Sequence, residues 1–138
     1  PYILMHMQGH PSTMQLQPTY ENPIEEILDF FIGEVAKLRA ADVKDIILDV
    51  GFGFGKSLAH NYQLLGEMAD FQILGLPILA GISRKSMIYK ILGTTADNAL
   101  NGTSALHMIA LDKGAKLLRV HDVKEATECI KLYKALKN

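Results

Sequence analysis

Four short apolar runs, each followed by a helix-forming stretch, set the limits on what this chain can fold into. The runs are Tyr2 to Met7, Asp45 to Asp49, Pro77 to Gly81 and Lys116 to His121, all rich in aliphatic and β-branched residues. They are nearly continuous rather than alternating, so both faces of each strand are expected to be covered, as in a parallel sheet flanked by helices. A sandwich with one solvated face per sheet does not fit.

The first helix is expected from Pro23 to Ala41, with Asn22 as N-cap, Pro23 at N1, and Ile24, Ile27, Leu28, Phe31, Val35 and Leu38 as its apolar stripe. A second helix, Leu58 to Ile73, buries Leu58, Tyr62, Leu65, Met68 and Ala69. Ser83 caps a short helix reaching Leu92, Asn101 to Lys113 ends at Gly114, and Val123 to Leu136 follows Asp122. Four βα units in a row fit either a small open sheet or half of a (β/α)8 barrel. In barrels the reactive groups stand at the carboxyl ends of strands. Here polar or glycine residues stand at all four: His6 with Gln8, Asp49, Ser83 with Arg84 and Lys85, and Arg119 with His121. The half-barrel is therefore the expectation, as a single domain over residues 1–138.

A chain of 138 residues that is 49% hydrophobic and 21% charged fits one cored domain. Its net charge of -1 supplies no field for nucleic acid or an anionic membrane, so a small-molecule partner is expected. No apolar run approaches the roughly 20 residues that span a bilayer. A lone cysteine, Cys129, gives no internal disulfide framework. The opening Pro1-Tyr2-Ile3-Leu4 has neither a basic lead nor a cleavage site. These features predict a cytoplasmic protein, and the strand-like start without Met predicts a piece of a longer one.

The second run delivers a carboxylate, Asp49, to Val50-Gly51-Phe52-Gly53-Phe54-Gly55-Lys56-Ser57. Glycines let a ligand approach the main chain closely, and the phenylalanines can wall an apolar pocket. Val50 stands where G-x-x-x-x-G-K-S needs glycine, and Lys56 where G-x-G-x-x-G needs its third, so both nucleotide motifs fail. Asp49 reads either as a carboxylate satisfied by loop amides or as the acceptor for a flat heterocycle with adjacent N–H donors. Ser83-Arg84-Lys85-Ser86 at a strand-to-helix junction suits an anion, with a solvated charged turn as the bland reading.

Period-two alternation puts Arg119 and His121 on one side of their strand, where guanidinium and imidazole suit an oxyanion-bearing leaving group. A buried Arg119 would need Asp49, Asp122 or a ligand as partner. Gly9 and Pro11 break any helix that could align His6 with His10 on a metal, and no metal site is expected from this segment. His60 and His107 read as surface or packing residues. Met5 and Met7 read as core or pocket lining.

Leu4-Met5-His6-Met7-Gln8-Gly9, Leu48 to Lys56, Gly81-Ile82-Ser83-Arg84-Lys85-Ser86 and Arg119-Val120-His121-Asp122-Val123, in this order and at strand ends, closely resemble the second half of bacterial dihydropteroate synthases. That resemblance implies a (β/α)8 barrel of which this chain forms about the last four βα units. It further implies a homodimeric transferase of folate biosynthesis, a sulfonamide target, that joins para-aminobenzoate to 6-hydroxymethyl-7,8-dihydropterin diphosphate and releases diphosphate. It assigns Asp49 and Lys85 to the pterin ring, Met5, Gly53 and Gly81 to its slot, and Arg119 to a place beside it. Arg119 with His121 holds the diphosphate, while Phe54 and Ser86 meet para-aminobenzoate. The family's Mg2+ depends on an asparagine in the other half of the barrel, along with a further pterin-binding aspartate and asparagine and the mobile loops over para-aminobenzoate.

One departure is Val50, where the family pattern carries proline; the restored backbone freedom is expected to loosen the loop slightly without moving Asp49. The segment alone is expected to be inactive. Two other readings remain at this point: a pterin-binding methyltransferase domain, against which the cationic motifs speak, and a non-catalytic half-barrel that self-associates through its open edges.

Overall fold

The computed structural model describes residues 1–13 and 17–138. Strands β1 (Tyr2–Met5), β2 (Ile46–Asp49), β3 (Ile78–Ala80) and β4 (Ala115–Leu118) form one sheet in that order. Every neighbouring pair is parallel. Helices α1 (Pro23–Ala40), α2 (Leu58–Gly66), α3 (Ser86–Leu92), α4 (Leu100–Asp112) and α5 (Val123–Lys137) follow the strands, one after each except β3, which is followed by both α3 and α4. The architecture is thus a run of βα units, as the strand pattern requires.

Register fixes which side chains share a face. Met5, Asp49, Leu79 and Leu117 are paired across the sheet in one row, and Leu4, Leu48, Ile78 and Ala115 in the row before it. The second row is buried, joined by Ile46, Val50, Ala80 and Ile82, and packs with Ile24, Ile27 and Phe31 of α1 and with Leu64, Met68 and Phe71. Asn22 caps α1 as expected, its carboxamide oxygen accepting from Ile24 and Glu25 N–H groups.

The first row lies on the other face, and there the expectation of two covered faces fails: Ile3 and Leu117 are exposed. A four-stranded arc has no facing strands to fill its concave side. No helix among the described residues is long and apolar enough to cross a membrane.

Three expected elements shift. The second helix stops at Gly66 and gives way to a 3-10 segment, Met68–Leu74, which ends at Gly75 in the left-handed region. A poor helix former at position 66 explains the break, and it leaves Leu58 exposed while burying Leu64. The third helix begins at Ser86 rather than behind Ser83, because Arg84 has φ 53° and no helix accommodates that backbone. Asp122 precedes α5 without capping it; its carboxylate is engaged elsewhere.

Candidate functional site

The glycine loop after β2 is wound around cations of the protein itself. Three of its N–H groups are used within the protein: Gly51 donates to Asp49 Oδ1 at 2.9 Å, Gly53 to Asn61 Oδ1 at 2.8 Å, and Phe54 to the Gly51 carbonyl at 3.1 Å. Its carbonyls face positive charge. Lys56 Nζ donates to Gly51 O at 2.8 Å and Phe54 O at 3.0 Å, and Lys85 Nζ donates to Phe52 O. A loop that spends its amides this way holds no phosphate, in agreement with the failed nucleotide motifs. Gly51 and Gly55 adopt φ 72° and 64°, and the end of β1 packs directly on them.

Asp49 is drawn in two directions. Burial pushes its carboxyl up from the usual range, while the Gly51 N–H and the charges of Lys85, Lys56 and Arg119 pull it down. Lys85 is the converse case: burial brings its ammonium down to about 8, with Asp49 opposing and Arg119 adding to the fall. Its Nζ lies 4.8 Å from the centre of the Phe54 ring, a cation–π contact. A Cβ at Gly81 would lie 4.0 Å from both Arg119 Cβ and Lys85 Nζ, and one at Gly53 would lie 3.5 Å from Lys85 Cδ. Asp49, Lys85, Arg119, Gly53 and Gly81 therefore converge, with Met5 paired to Asp49 in register.

Two cavities meet at Arg84 and Lys85. One, about 300 Å³, is lined by Gly81, Ser83, Lys85, Arg119 and His121; the other, also about 300 Å³, by Phe54, Ser86 and Tyr89. The first is cationic and the second aromatic. Ser83 Oγ accepts the His121 backbone N–H at 3.2 Å and is hydrogen-bonded to His121 Nδ1 at 2.8 Å.

Sequence reasoning misplaced two cations. Arg119 is exposed, so the premise that it is buried, and for that reason needs Asp49, Asp122 or a ligand as partner, does not hold. Asp122 instead binds Arg84, accepting from Nε at 2.8 Å and Nη2 at 3.0 Å. Arg84 also donates to the carbonyls of Ala96 at 2.8 Å and Asp97 at 2.5 Å, and its backbone N–H reaches Thr103 Oγ1 at 3.0 Å. Its guanidinium is thereby committed to the scaffold, where it ties the loop after β3 to the loop after β4. Of the expected cationic pair in Ser83 to Ser86, only Lys85 faces the cavities as a donor.

The phenylalanines also divide: Phe52 is buried in the core and Phe54 lines the aromatic cavity. Sequence reasoning further missed Lys56, Asn61 and Tyr89. His60 closes a capping box, its Nδ1 accepting the Ser57 N–H at 3.2 Å.

Residues 1–121 match the family model described as pterin binding enzyme. The chain belongs to the pterin-binding enzyme family. Among pterin-binding relatives, the dihydropteroate synthase of Haemophilus influenzae is 46% identical over 140 residues, which cover 100% of this chain and 51% of the relative. The Yersinia pestis dihydropteroate synthase, solved with a sulfonamide drug complex, superposes with a TM-score of 0.97 at 42% identity, over 99% of this chain and 51% of that one. The Thermus thermophilus dihydropteroate synthase, solved in complex with 4-aminobenzoate, gives 0.93 at 36% identity, over 99% and 56%. The chain spans about half the length of the curated relatives it matches. Its sheet is accordingly part of a pterin-binding (β/α)8 barrel, which accounts for the open concave face.

Proposed function

We propose that this chain carries the second half of a dihydropteroate synthase site, where para-aminobenzoate displaces diphosphate from 6-hydroxymethyl-7,8-dihydropterin diphosphate. One observation carries the reading: Asp49 feels the charges of Lys85 and Arg119 from the segments after β3 and β4, and these two cations line the cationic cavity, with Lys85 also lining the aromatic one. The names of the relatives support a synthase over a methyltransferase.

In this reading Asp49 accepts N–H bonds from the pterin and Lys85 donates to its ring. Met5, Gly53 and Gly81 line the slot. Arg119 lies against the ring and, with His121, binds the diphosphate. Phe54 and Ser86 contact para-aminobenzoate.

Breaking the carbon–oxygen bond leaves positive charge on the pterin methyl and negative charge on the departing oxygen. A fixed carboxylate on one side and fixed cations on the other stabilise that separation without reorganising. The lone pair of the para-aminobenzoate amine, held in the aromatic cavity, then forms the new bond to the methyl carbon, diphosphate keeps the electron pair of the broken carbon–oxygen bond, and the amine's proton passes to solvent water. No covalent intermediate on the protein is required.

The described residues do not themselves fit the expected Mg2+. They bring no group of three or more His, Cys, Asp or Glu together, and Asp49 faces cations. The reading puts Mg2+ on the diphosphate, held by groups other than these, and none of the steps above uses it. Homodimer formation and a cytoplasmic setting belong to the same reading; exposed Ile91, Leu92, Leu132 and Leu136 leave apolar helical surface for such an interface. Sedimentation velocity checks the dimer.

A completed barrel tests the activity: the first half of the Haemophilus influenzae relative fused ahead of residues 1–138. It is expected to form dihydropteroate from the two substrates, and absence of product from folded chimera overturns the proposal. In the same chimera Asp122→Asn, which releases Arg84 from its carboxylate, is expected to raise KM for the pterin diphosphate on the order of tenfold. KM for para-aminobenzoate should move less, because the ion pair fixes the loop beside His121; initial-rate kinetics at varied substrate decide.

A further inference from the structure

Lys56, the lysine of the glycine loop, lines neither of the two cavities. It is 4% exposed, and its three N–H bonds are all used: Gly51 O at 2.8 Å, Phe54 O at 3.0 Å and His6 Nδ1 at 3.0 Å. An ammonium with three acceptors has nothing left for a substrate. Lys85, by contrast, has one protein acceptor, Phe52 O, and lines both cavities.

Gly51 connects Lys56 to the acid. Its N–H holds Asp49 Oδ1 at 2.9 Å while its C=O is held by Lys56 at 2.8 Å. A buried charge and a fixed donor thus stand beside Asp49 in addition to the cavities' own cation, Lys85. Burying an ammonium is costly and needs a return elsewhere in the molecule. Its three bonds supply part of that return, since an apolar side chain would leave Gly51 O, Phe54 O and His6 Nδ1 without their donor, and the Gly51 link carries the effect on to Asp49.

We infer that Lys56 is a positioning residue for Asp49: through Gly51 it fixes the N–H that orients the carboxylate, and its charge keeps that carboxylate ionised for the pterin. This rests on the proposed role of Asp49. The groups that face the pair are His6 from the end of β1, Tyr20 ahead of α1, whose hydroxyl donates to Gly55 O at 2.9 Å, Lys85 from the loop after β3, and Arg119 from the end of β4. His60 of α2 stacks edge-on against Tyr20.

Burial and the Lys56 charge bring His6 down to about 3, and burial takes Tyr20 up to about 12, so neither changes charge between pH 4 and 9. Lys56 itself is brought down to about 7, chiefly by burial, with Asp49 opposing. Acidification therefore protonates Asp49 while Lys56 is charged, which is where its field matters.

The test is binding of 6-hydroxymethyl-7,8-dihydropterin to the completed barrel by calorimetry, from pH 4 to 9. Binding should weaken as pH falls through the Asp49 titration. Lys56→Met and Lys56→Gln, of which the second can still hydrogen-bond, should move this acid limb up by about one pH unit. Below the limb that is a loss of about tenfold, recovered at higher pH, and Lys56→Arg should keep the limb near its original place. A folded Lys56→Gln protein with an unmoved limb overturns the inference.

If both neutral variants fail to fold, 13C NMR of the Asp49 carboxyl in a Lys85→Met background decides. An inflection above pH 7, raised because the Lys85 charge that lowers Lys56 is gone, reports Lys56, and its absence overturns the coupling. Asp49→Asn separates the two levels: undiminished pterin binding sinks the role of Asp49, whereas lost binding with an unmoved Lys56→Gln limb sinks only the inference.

Discussion

Gly51→Ala is expected to destabilise the completed barrel by about 3–5 kcal/mol, read as a lower urea midpoint at an unchanged m-value. Two independent effects add. At φ 72° an L-residue is strained by roughly 1–2 kcal/mol. A Cβ there would also lie 1.9 Å from the His6 carbonyl oxygen, which is backbone and cannot swing aside. Relief requires moving the end of β1 away from β2, and that opens the bonds Lys56 makes to both sides. Gly55→Ala should behave similarly, since its Cβ would lie 2.3 Å from Gln8 O. The control is Gly33→Ala in the middle of α1, where nothing lies within 4 Å and φ is ordinary. That change should stabilise by about 0.5–1 kcal/mol. Equal destabilisation at positions 33 and 51 would show that the close approach of β1 to the glycine loop is not what the loop requires.

Much of this architecture was legible in the sequence, because parallel strands buried under helices leave uninterrupted apolar runs. The strand ends then marked Asp49, Lys85, Arg119 and His121 correctly as neighbours. What could not be read was which cation does what. A lysine in a glycine loop and an arginine between two serines look alike on paper, and their burial depends on where carbonyls and carboxylates from distant segments come to lie. Lys56 is committed to acceptors five residues back and to His6, fifty residues away. Arg84 is committed to Asp122, thirty-eight residues on.

One signal was present: three glycines alternating with bulky residues turn successive carbonyls inward, and a lysine closing that run is a natural occupant. The start of α3 failed for a related reason. Ser83 has the chemistry of an N-cap, but its hydroxyl is spent on His121, and the left-handed Arg84 delays the helix. Local capping rules do not see a partner on the next strand.

Lys85→Ala is expected to lower turnover by the completed barrel by about 10²- to 10³-fold, the cost of removing one preorganised donor from a site where charge develops. Lys85 is the group on which the proposed reading depends most heavily, since it borders both cavities, lies over Phe54, and touches the Gly53 and Gly81 positions of the slot. Its loss removes a ring donor and the cation opposite Asp49 together, so kcat should fall along with affinity for the pterin diphosphate.

The pH dependence gives a second reading of the same group. With its ammonium brought down to about 8 by burial, Lys85 is charged below that pH and neutral above it. If the cation is the working form, kcat/KM falls as pH rises through about 8. Lys85→Arg, charged at every accessible pH, should lose this basic limb while retaining part of the activity. Arg119→Gln removes the like charge that adds to the fall and should shift the limb upward. A Lys85→Ala enzyme with undiminished turnover, or a basic limb that stays put in Lys85→Arg, would assign the limb to the substrate or another residue and remove Lys85 from the pterin site.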